Sequence, residues 1–346
     1  MGLVCAGLLA GGEGNGPPPT PRSTGLHRPV NVRLFGHNPD EAAALAQTRR
    51  SQRLPALKLP NAVRVCLRPD EALQDADLIV SAIPVQFMRK AWTDLAPHVP
   101  QHAAVVSVAK GIENDSLLRP TQIIADVLRK TGRDDPDGRP RRLGVLSGPT
   151  IAAELARCLP ATMIAASDDP GFAADLQRLF SASWMRLYTH TDVLGIELAG
   201  AVKNIIAIAA GILDGLQAGY NAKSALLARG LAEIVRLGSA MGAAPETFFG
   251  IAGVGDLATS CFSPEGRNRS CGEALGRGEK LEHYLDRTPS VVEGVATTRS
   301  VVGLARKYRV EMPIVHAVHA VLFEGTDPID AIARLMSRDM KPERVG

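Results

Sequence analysis

The sequence predicts an α/β chain: a doubly wound, mostly parallel sheet over residues 1–190, followed by an all-helical domain over 191–338. Two observations carry this. Between Val30 and Thr191, short β-branched runs alternate with helical segments, the pattern of strands joined by helical crossovers with helices on both faces. From about Thr191 the strand signals stop and long Ala-, Leu- and Ile-rich periodic segments take over. The 346 residues are enough for two domains with full cores.

"MGLVCAGLLA" reads as a helix, and the breaker-rich "GGEGNGPPPTPRSTGLHRP" (11–29) as a flexible insertion before the next strand. "VNVRLFG" (30–36) is a strand, and "NPDEAAALAQTRR" is a helix capped by Asn38. "AVRVCL" (62–67) is strand-like, "RPDEALQDA" a short helix, and "DLIVSAI" (77–83) a strand buried on both faces. Strands follow at 103–109, 142–148, 161–167 and 185–191, with helices at 116–130 and 150–157. The helical domain is read as segments 192–217, 221–240, 269–280, 294–308 and 313–322.

Composition removes several function classes. A net charge of +3 with scattered Lys and Arg gives no nucleic-acid face, and the run Arg129–Arg142 mixes both signs with Pro and Gly as a solvated loop does. Five widely spaced cysteines, Cys5, Cys66, Cys158, Cys261 and Cys271, form neither a disulfide framework nor a zinc pattern, and suit a reducing cytoplasm. No apolar run is read as membrane-spanning, and no basic residue precedes the apolar start as in a signal peptide. His316 and His319, three apart with no third ligand, read as ordinary helix residues, so no metal is expected.

Ligands of an open parallel sheet bind beyond the carboxyl ends of its strands. Those ends carry Gly36-His37, Pro84, Lys110-Gly111 and Gly148-Pro149-Thr150. Farther on, "LAGAVKNIIAIAAGILDG" (198–215) places Gly200, Lys203, Asn204, Ala207, Gly211 and Gly215 near one helical face. Glycines cost a helix roughly 1 kcal/mol each relative to Ala, so this bare face lets a helix or a ligand approach closely. Either Lys203 snorkels past a helix contact, or it is an amine held over a pocket. The segment "GIAGVGDLATSCFSPEGRNRSCG" (250–272) reads as a glycine-rich polar loop concentrating Asp256, Arg267, Asn268 and Arg269. The Arg-Asn pair suits a phosphate or carboxylate, and Asp256 is a candidate partner for Lys203; each is also open to a structural role.

In "SVAKGIE" (107–113), "LSGPTIAAEL" (146–155), "LAGAVKNIIAIAAGILDGL" (198–216), "GVGDLATSC…GRNR" (253–269) and "VVEGVATT" (291–298), the chain resembles the bacterial NAD(P)-dependent glycerol-3-phosphate dehydrogenases. The resemblance runs from Val30 to Leu335 in family order. It implies a Rossmann-like nucleotide domain, a helical substrate and dimerisation domain, NAD or NADP as cofactor, and a cytoplasmic homodimer. The implied reaction reduces dihydroxyacetone phosphate to sn-glycerol 3-phosphate, a backbone for phospholipid synthesis. Lys203 matches the catalytic proton donor and acceptor. Lys110, Gly148, Thr150, Asp256, Gly266, Arg267 and Asn268 match substrate positions, and Gly2, His37, Lys110, Ala152, Arg267, Val291 and Glu293 match cofactor positions.

Two departures stand out. Gly266 replaces a serine that the family commonly has before the Arg-Asn pair. The G-x-G-x-x-G turn after a first strand is also missing: nothing strand-like feeds "GGEGNG" (11–16) and Pro17-Pro18-Pro19 blocks a helix after it. The expectation is a sequence starting at an internal methionine, with Gly2 as the motif's last glycine and the first strand upstream. The alternative is an impaired nucleotide-sensing or scaffold homologue. No carboxylate follows the strand ending at Gly36 until Asp40, so NADP is open; Arg33 lies within the strand, and Arg49 and Arg50 are candidates for its 2′-phosphate.

Overall fold

The computed structural model describes residues 1–11, 30–134, 140–288, 290–339 and 342. Most of the 11–29 insertion and part of the Arg129–Arg142 run lie outside them. In chain order the elements are α1 (Gly2–Leu9), β1 (Arg33–Phe35), α2 (Pro39–Thr48), β2 (Arg64–Cys66), α3 (Pro69–Leu73), β3 (Leu78–Ser81), α4 (Val85–Leu95), β4 (Ala104–Ser107), α5 (Pro120–Lys130), β5 (Leu143–Ser147), α6 (Ala152–Ala156), β6 (Ala161–Ala166), α7 (Pro170–Phe180) and β7 (Met185–His190). Helices follow: α8 (Val193–Gly215), α9 (Gly219–Met241), α10 (Asp256–Phe262), α11 (Arg267–Gly276), α12 (Leu281–Arg287), α13 (Glu293–Tyr308), α14 (Pro313–Phe323) and α15 (Pro328–Met336). A Rossmann-like sheet region thus precedes a helical one.

Two compact units emerge. The first comprises 1–83, 87–109 and 121–193, and the second 84–86, 110–120 and 194–346. In the first, five strands pair in the order β3-β4-β5-β6-β7 and two in the order β1-β2. All ladders are parallel except β5–β6, which is antiparallel, with Leu146 opposite Ala165. Helix α1 serves both sheets: Val4 and Cys5 lie in the large core with Val106, Leu146 and Leu176, while Ala6 joins Val32, Leu59 and Val63 beside β1 and β2.

Local chemistry sets several boundaries. Helices α2, α7 and α15 each open on an Asx-Pro pair, in which proline presets φ and the Asx carboxyl or amide oxygen caps the first turn. Asn38 Oδ1 accepts from Asp40 N at 3.0 Å, Asp169 Oδ1 from Gly171 N at 2.8 Å, and Asp327 Oδ1 from Ile329 N at 2.8 Å. Helix α14 has no such local cap; instead Glu233 of α9 accepts from Ile314 N at 2.7 Å and Val315 N at 3.2 Å. Burial raises the Glu233 carboxyl to about 7 despite these bonds.

The helical unit is built round α8. By length and composition alone this helix could cross a membrane, which revises the sequence expectation that no run is long enough; yet 94% of its most apolar stretch is buried within the protein. Leu198, Val202, Ile205, Ile206 and Ile212 pack with Val235 and Leu237 of α9, Val301 and Leu304 of α13, and Val315 and Val318 of α14. The glycine face receives α11. A methyl group at Gly211 would lie 1.9 Å from the Arg269 carbonyl oxygen, and one at Gly272 would lie 1.9 Å from that of Ile208. Gly215 and Gly276 repeat the arrangement one turn on, against Glu273 and Ile212. Of the two approaches the bare face allows, a helix or a ligand, these contacts make it a helix, α11 of the same chain, at Gly211 and Gly215.

The expected polar loop at 250–272 is also corrected. It is mostly helical: a π-helical turn, Ile251–Gly255, leads into α10 and then α11, with only 263–266 between them. Gly253 permits the turn, since a side chain there would strike the Phe248 backbone oxygen at 2.0 Å.

If backbone contact fixes α11 on α8, Gly272→Ala will lower the urea midpoint. Overpacking of about 1–3 kcal/mol should outweigh the helix-propensity gain of about 1 kcal/mol. An unchanged or raised midpoint would refute that packing.

Candidate active site

The site is assembled within the helical unit, from segments far apart in sequence. Lys203 lies midway along α8, Asp256 opens α10, and Lys110 comes from the short segment 110–120. Asp256 is 1% exposed and bridges both amines: Oδ1 accepts from Lys203 Nζ at 2.6 Å and Oδ2 from Lys110 Nζ at 2.6 Å. Lys203 also donates to Ser260 Oγ, one turn along α10. An ammonium has three N–H donors, so two of those on Lys203 are aimed and one remains for a ligand oxygen.

The backbone around Lys110 is stitched down by side chains of the same unit. Asn204 Nδ2 donates to the Lys110 carbonyl at 3.1 Å, and the Ile112 carbonyl accepts from Gln86 Nε2 at 2.7 Å and Ser300 Oγ at 2.9 Å. Gly111 fits because a side chain there would come within 3.0 Å of Thr297 Oγ1. Burial pulls the Lys110 amine down to about 8; Asp256 opposes the shift and the Lys203 charge adds to it. Two ammonium groups share one carboxylate, so the cluster carries an excess positive charge suited to an oxyanion. Burial raises the Glu293 carboxyl, against the influence of Arg267, Lys110 and Lys203.

Arg267 and Asn268 form the first turn of α11, whose N-cap, Gly266, offers no side-chain hydrogen bond. The leading N–H groups of that helix therefore carry no side-chain cap, and Arg267 beside them is exposed, features suited to anions. Asn268 is partly engaged: its Oδ1 accepts from Gly294 N at 2.9 Å, leaving the amide nitrogen as its ligand donor. Gly294, the second residue of α13, has no room for a side chain beside Asn268 Oδ1 and the Asn204 carbonyl, so α8, α11 and α13 converge here.

The chain aligns with the family model for the NAD-dependent glycerol-3-phosphate dehydrogenase N-terminus over residues 22–173, and with that for the C-terminus over 192–333. It is 42% identical over 314 residues to "Glycerol-3-phosphate dehydrogenase [NAD(P)+] 1" of Salinibacter ruber, covering 90% of each chain. It is 43% identical to "Glycerol-3-phosphate dehydrogenase [NAD(P)+] 2" of Mycobacterium tuberculosis, over 90% of this chain and 91% of that one. The chain belongs to the glycerol-3-phosphate dehydrogenase family. Among solved structures, glycerol-3-phosphate dehydrogenase from Coxiella burnetii superposes with a TM-score of 0.83 at 33% identity, covering 89% of this chain and 92% of that one. A ketopantoate reductase from Ralstonia eutropha, at 16% identity and a TM-score of 0.55, shares the fold.

For a glycerol-3-phosphate dehydrogenase, the remaining candidate positions divide between the units. In the first, Gly2 opens α1 so close to β3 that a side chain would lie 3.2 Å from Ala82 Cβ, and no side chain caps the α1 N-terminus. Gly36 has open space beside it and His37 is exposed. These features fit a dinucleotide, whose phosphates need bare N–H groups and a close backbone. Gly148 has φ 136°, Thr150 Oγ1 donates to the Gly148 carbonyl at 3.1 Å, and Ala152 opens α6. Val291, in the helical unit, is exposed.

The arginines proposed for a 2′-phosphate, and Arg33 in the strand, are engaged elsewhere. Arg33 donates to the carbonyls of Glu71 and Gln74, Arg49 to those of Pro60 and Val63, and Arg50 to that of Pro55. Sequence reasoning also passed over Ser260, although an i,i+4 spacing from Asp256 puts it on the same helical face. His316 Nδ1 lies 2.8 Å from the Met312 carbonyl oxygen and His319 Nδ1 2.9 Å from Glu324 Oε1. Among the described residues, no group of three or more His, Cys, Asp or Glu could hold a metal.

Because Asp256 holds the Lys110 charge up against burial, Asp256→Asn should move the titration of Lys110 below its value of about 8. The pH dependence of amine labelling at Lys110, read by mass spectrometry, measures this. A titration that stays put or rises would contradict the coupling.

Proposed function

We propose that the chain catalyses the reversible, NAD(P)H-dependent reduction of dihydroxyacetone phosphate to sn-glycerol 3-phosphate (EC 1.1.1.94). The observation that carries this reading is Asp256 held between Lys203 and Lys110 at 2.6 Å each, on a chain whose relatives at 42–43% identity are named for that dehydrogenase.

The nicotinamide supplies the hydride, which no side chain can. Gly2, His37 and Ala152 in the first unit, and Lys110, Arg267, Val291 and Glu293 in the helical one, are the residues assigned to hold the dinucleotide. Lys203 is the general acid in reduction and the base in oxidation. Asp256 and Ser260 take two of its N–H bonds and so direct the third at the C2 oxygen. Lys110 supplies a second positive charge to the same oxygen as it becomes an alkoxide, and the stitched backbone around it keeps that charge from moving away. Asp256 keeps both amines oriented and opposes the burial that lowers the Lys110 amine.

The substrate phosphate is assigned to Arg267, to the Asn268 amide nitrogen and to the leading N–H groups of α11. With glycine at 266, no hydroxyl competes for those N–H groups, so the helix terminus itself does the work assigned to the family's serine. Gly148 and Thr150 line the substrate side in the first unit. Phosphate binding far from the reacting carbon supplies orientation, which favours turnover over mere retention. By family membership we further infer a homodimer acting in the cytoplasm and supplying glycerol phosphate for lipid synthesis. Light scattering on the purified protein tests the stoichiometry.

Lys203→Met should lower turnover of dihydroxyacetone phosphate by about 10²–10⁴-fold with either NADH or NADPH, measured at a temperature where circular dichroism shows the variant still folded. Full activity in that variant would end the acid–base assignment, and no oxidation of either cofactor by the intact protein would end the dehydrogenase reading. The pH profile should show a second effect. Lys110 is charged below about pH 8 and neutral above, so reduction should decline as pH rises through about 8. Lys110→Arg should remove that limb, because a guanidinium stays charged there; an alkaline limb unchanged in the variant would assign it to another group.

A further inference from the structure

A second charged cluster lies on the same helix as Lys203, about three turns farther along, and takes no part in the proton chemistry. Asp214 accepts from Lys223 Nζ at 2.8 Å on each carboxylate oxygen, and its Oδ2 also accepts from Arg269 Nε at 2.7 Å. The side chains are largely buried: Lys223 is 7% exposed, Arg269 14% and Asp214 22%. Lys223 Nζ also sits 4.9 Å from the centre of the Phe262 ring.

The placement of these charges opposes each helix's own dipole. Asp214 is at the negative end of α8, and Arg269 is in the first, positive turn of α11. A cluster chosen for helix stability would have the opposite signs. What the arrangement accomplishes is attachment. Phe262 is the last residue of α10 and Arg269 the third of α11, so the cluster holds both flanks of the connection 263–266. That connection ends at Gly266, the N-cap of α11, and is followed at once by Arg267 and Asn268. The glycine contacts fix how close α11 lies to α8, but smooth glycine surfaces resist sliding and rotation poorly. A directional bond from Arg269 to a carboxylate on α8 supplies that resistance.

We propose that Asp214, with Lys223 and Arg269, is a positioning group for phosphate recognition. It locks the first turn of α11 in register on α8, so that Arg267 and the leading N–H groups meet a phosphate dianion at a set distance from the Lys203 amine on that same helix. The proposal rests on the assignment of Arg267 and Asn268 to phosphate, and deepens it. Asp214 touches neither substrate nor cofactor; it acts through Arg269.

The test compares Asp214→Asn and Arg269→Gln with the intact enzyme, and with Arg267→Ala as a control. Arg269→Gln leaves the Asp214–Lys223 pair in place and so guards against a failure to fold. Backbone hydrogen exchange is read over 263–272, together with KM for dihydroxyacetone phosphate, KM for NADH, and kcat. In Arg269→Gln, exchange over 263–272 and KM for dihydroxyacetone phosphate should each rise about tenfold, the loss expected for one charge-assisted hydrogen bond. KM for NADH should rise less than KM for dihydroxyacetone phosphate, because Arg267 is the one residue assigned to the dinucleotide that lies on α11, and kcat should fall less than KM rises, because the Lys203 hydrogen bonds are untouched. Unchanged exchange overturns the brace. Faster exchange with an unchanged dihydroxyacetone phosphate KM, where Arg267→Ala does raise that KM, overturns its link to recognition. A parallel loss in both KM values and in kcat shows a general structural role and overturns it as well. If Arg267→Ala itself leaves KM unchanged, the phosphate assignment is what fails, and exchange alone then decides the brace.

Discussion

The chemistry of this protein depends on one buried carboxylate. Asp256 accepts a hydrogen bond from an ammonium on each oxygen, from Lys203 on one and from Lys110 on the other. Removing one partner from a buried ion cluster costs about 3–5 kcal/mol, because the remaining charge is stranded in a poor solvent. Three charges of unequal sign also leave a net positive field, which a neutral ketone feels weakly and an alkoxide strongly. The same desolvation that makes the arrangement costly makes it selective for a charge that exists only during reaction.

Holding that carboxylate in place is a task for backbone packing as much as for side chains. Helices α8 and α11 touch main chain to main chain at paired glycines, and α13 begins on the Asn204 carbonyl and the Asn268 amide. The helices that carry Lys203, Asn204, Arg267 and Asn268 are therefore set close to one another by main-chain contact, and the Arg269–Asp214 bond adds to it. Long side chains such as lysine lose much rotamer entropy on being ordered. A rigid base beneath them keeps that loss from being compounded by motion of the helices.

Much of this was legible in the sequence, for physical reasons that differ by region. The strands at 103–109 and 161–167 are largely apolar runs, which have few places to go except a covered sheet; the strand at 77–83 forms as expected but is only half-buried over Leu78–Val80, because it ends the strand order. The bare face at Gly211 and Gly215 announced a close approach but not by what, since another helix and a ligand make the same demand. The region 250–272 misled, because its glycines and polar residues read as loop while the backbone winds through a π-helical turn into α10. The turn sets Gly253 against the Phe248 backbone five residues earlier, and a single such turn leaves no periodic signature. The arginines at 33, 49 and 50 were read by type alone; their carbonyl partners lie 5 to 41 residues away in sequence and appear only once the chain is folded.

The apolar character of α8 also bears on how the protein is made. As the chain leaves the ribosome, residues 193–215 emerge before any of the helices that will cover them. The last of their partners, Val315 and Val318 on α14, follow roughly a hundred residues later, a delay on the order of 5–20 s at ordinary synthesis rates. Through that interval the nascent chain displays a segment that a membrane-targeting factor or a chaperone would recognise as greasy. Glu197, Lys203 and Asp214 break its apolar surface during that exposure. The charges assigned to the substrate and to the proposed brace thus also interrupt the apolar surface of the unfinished chain.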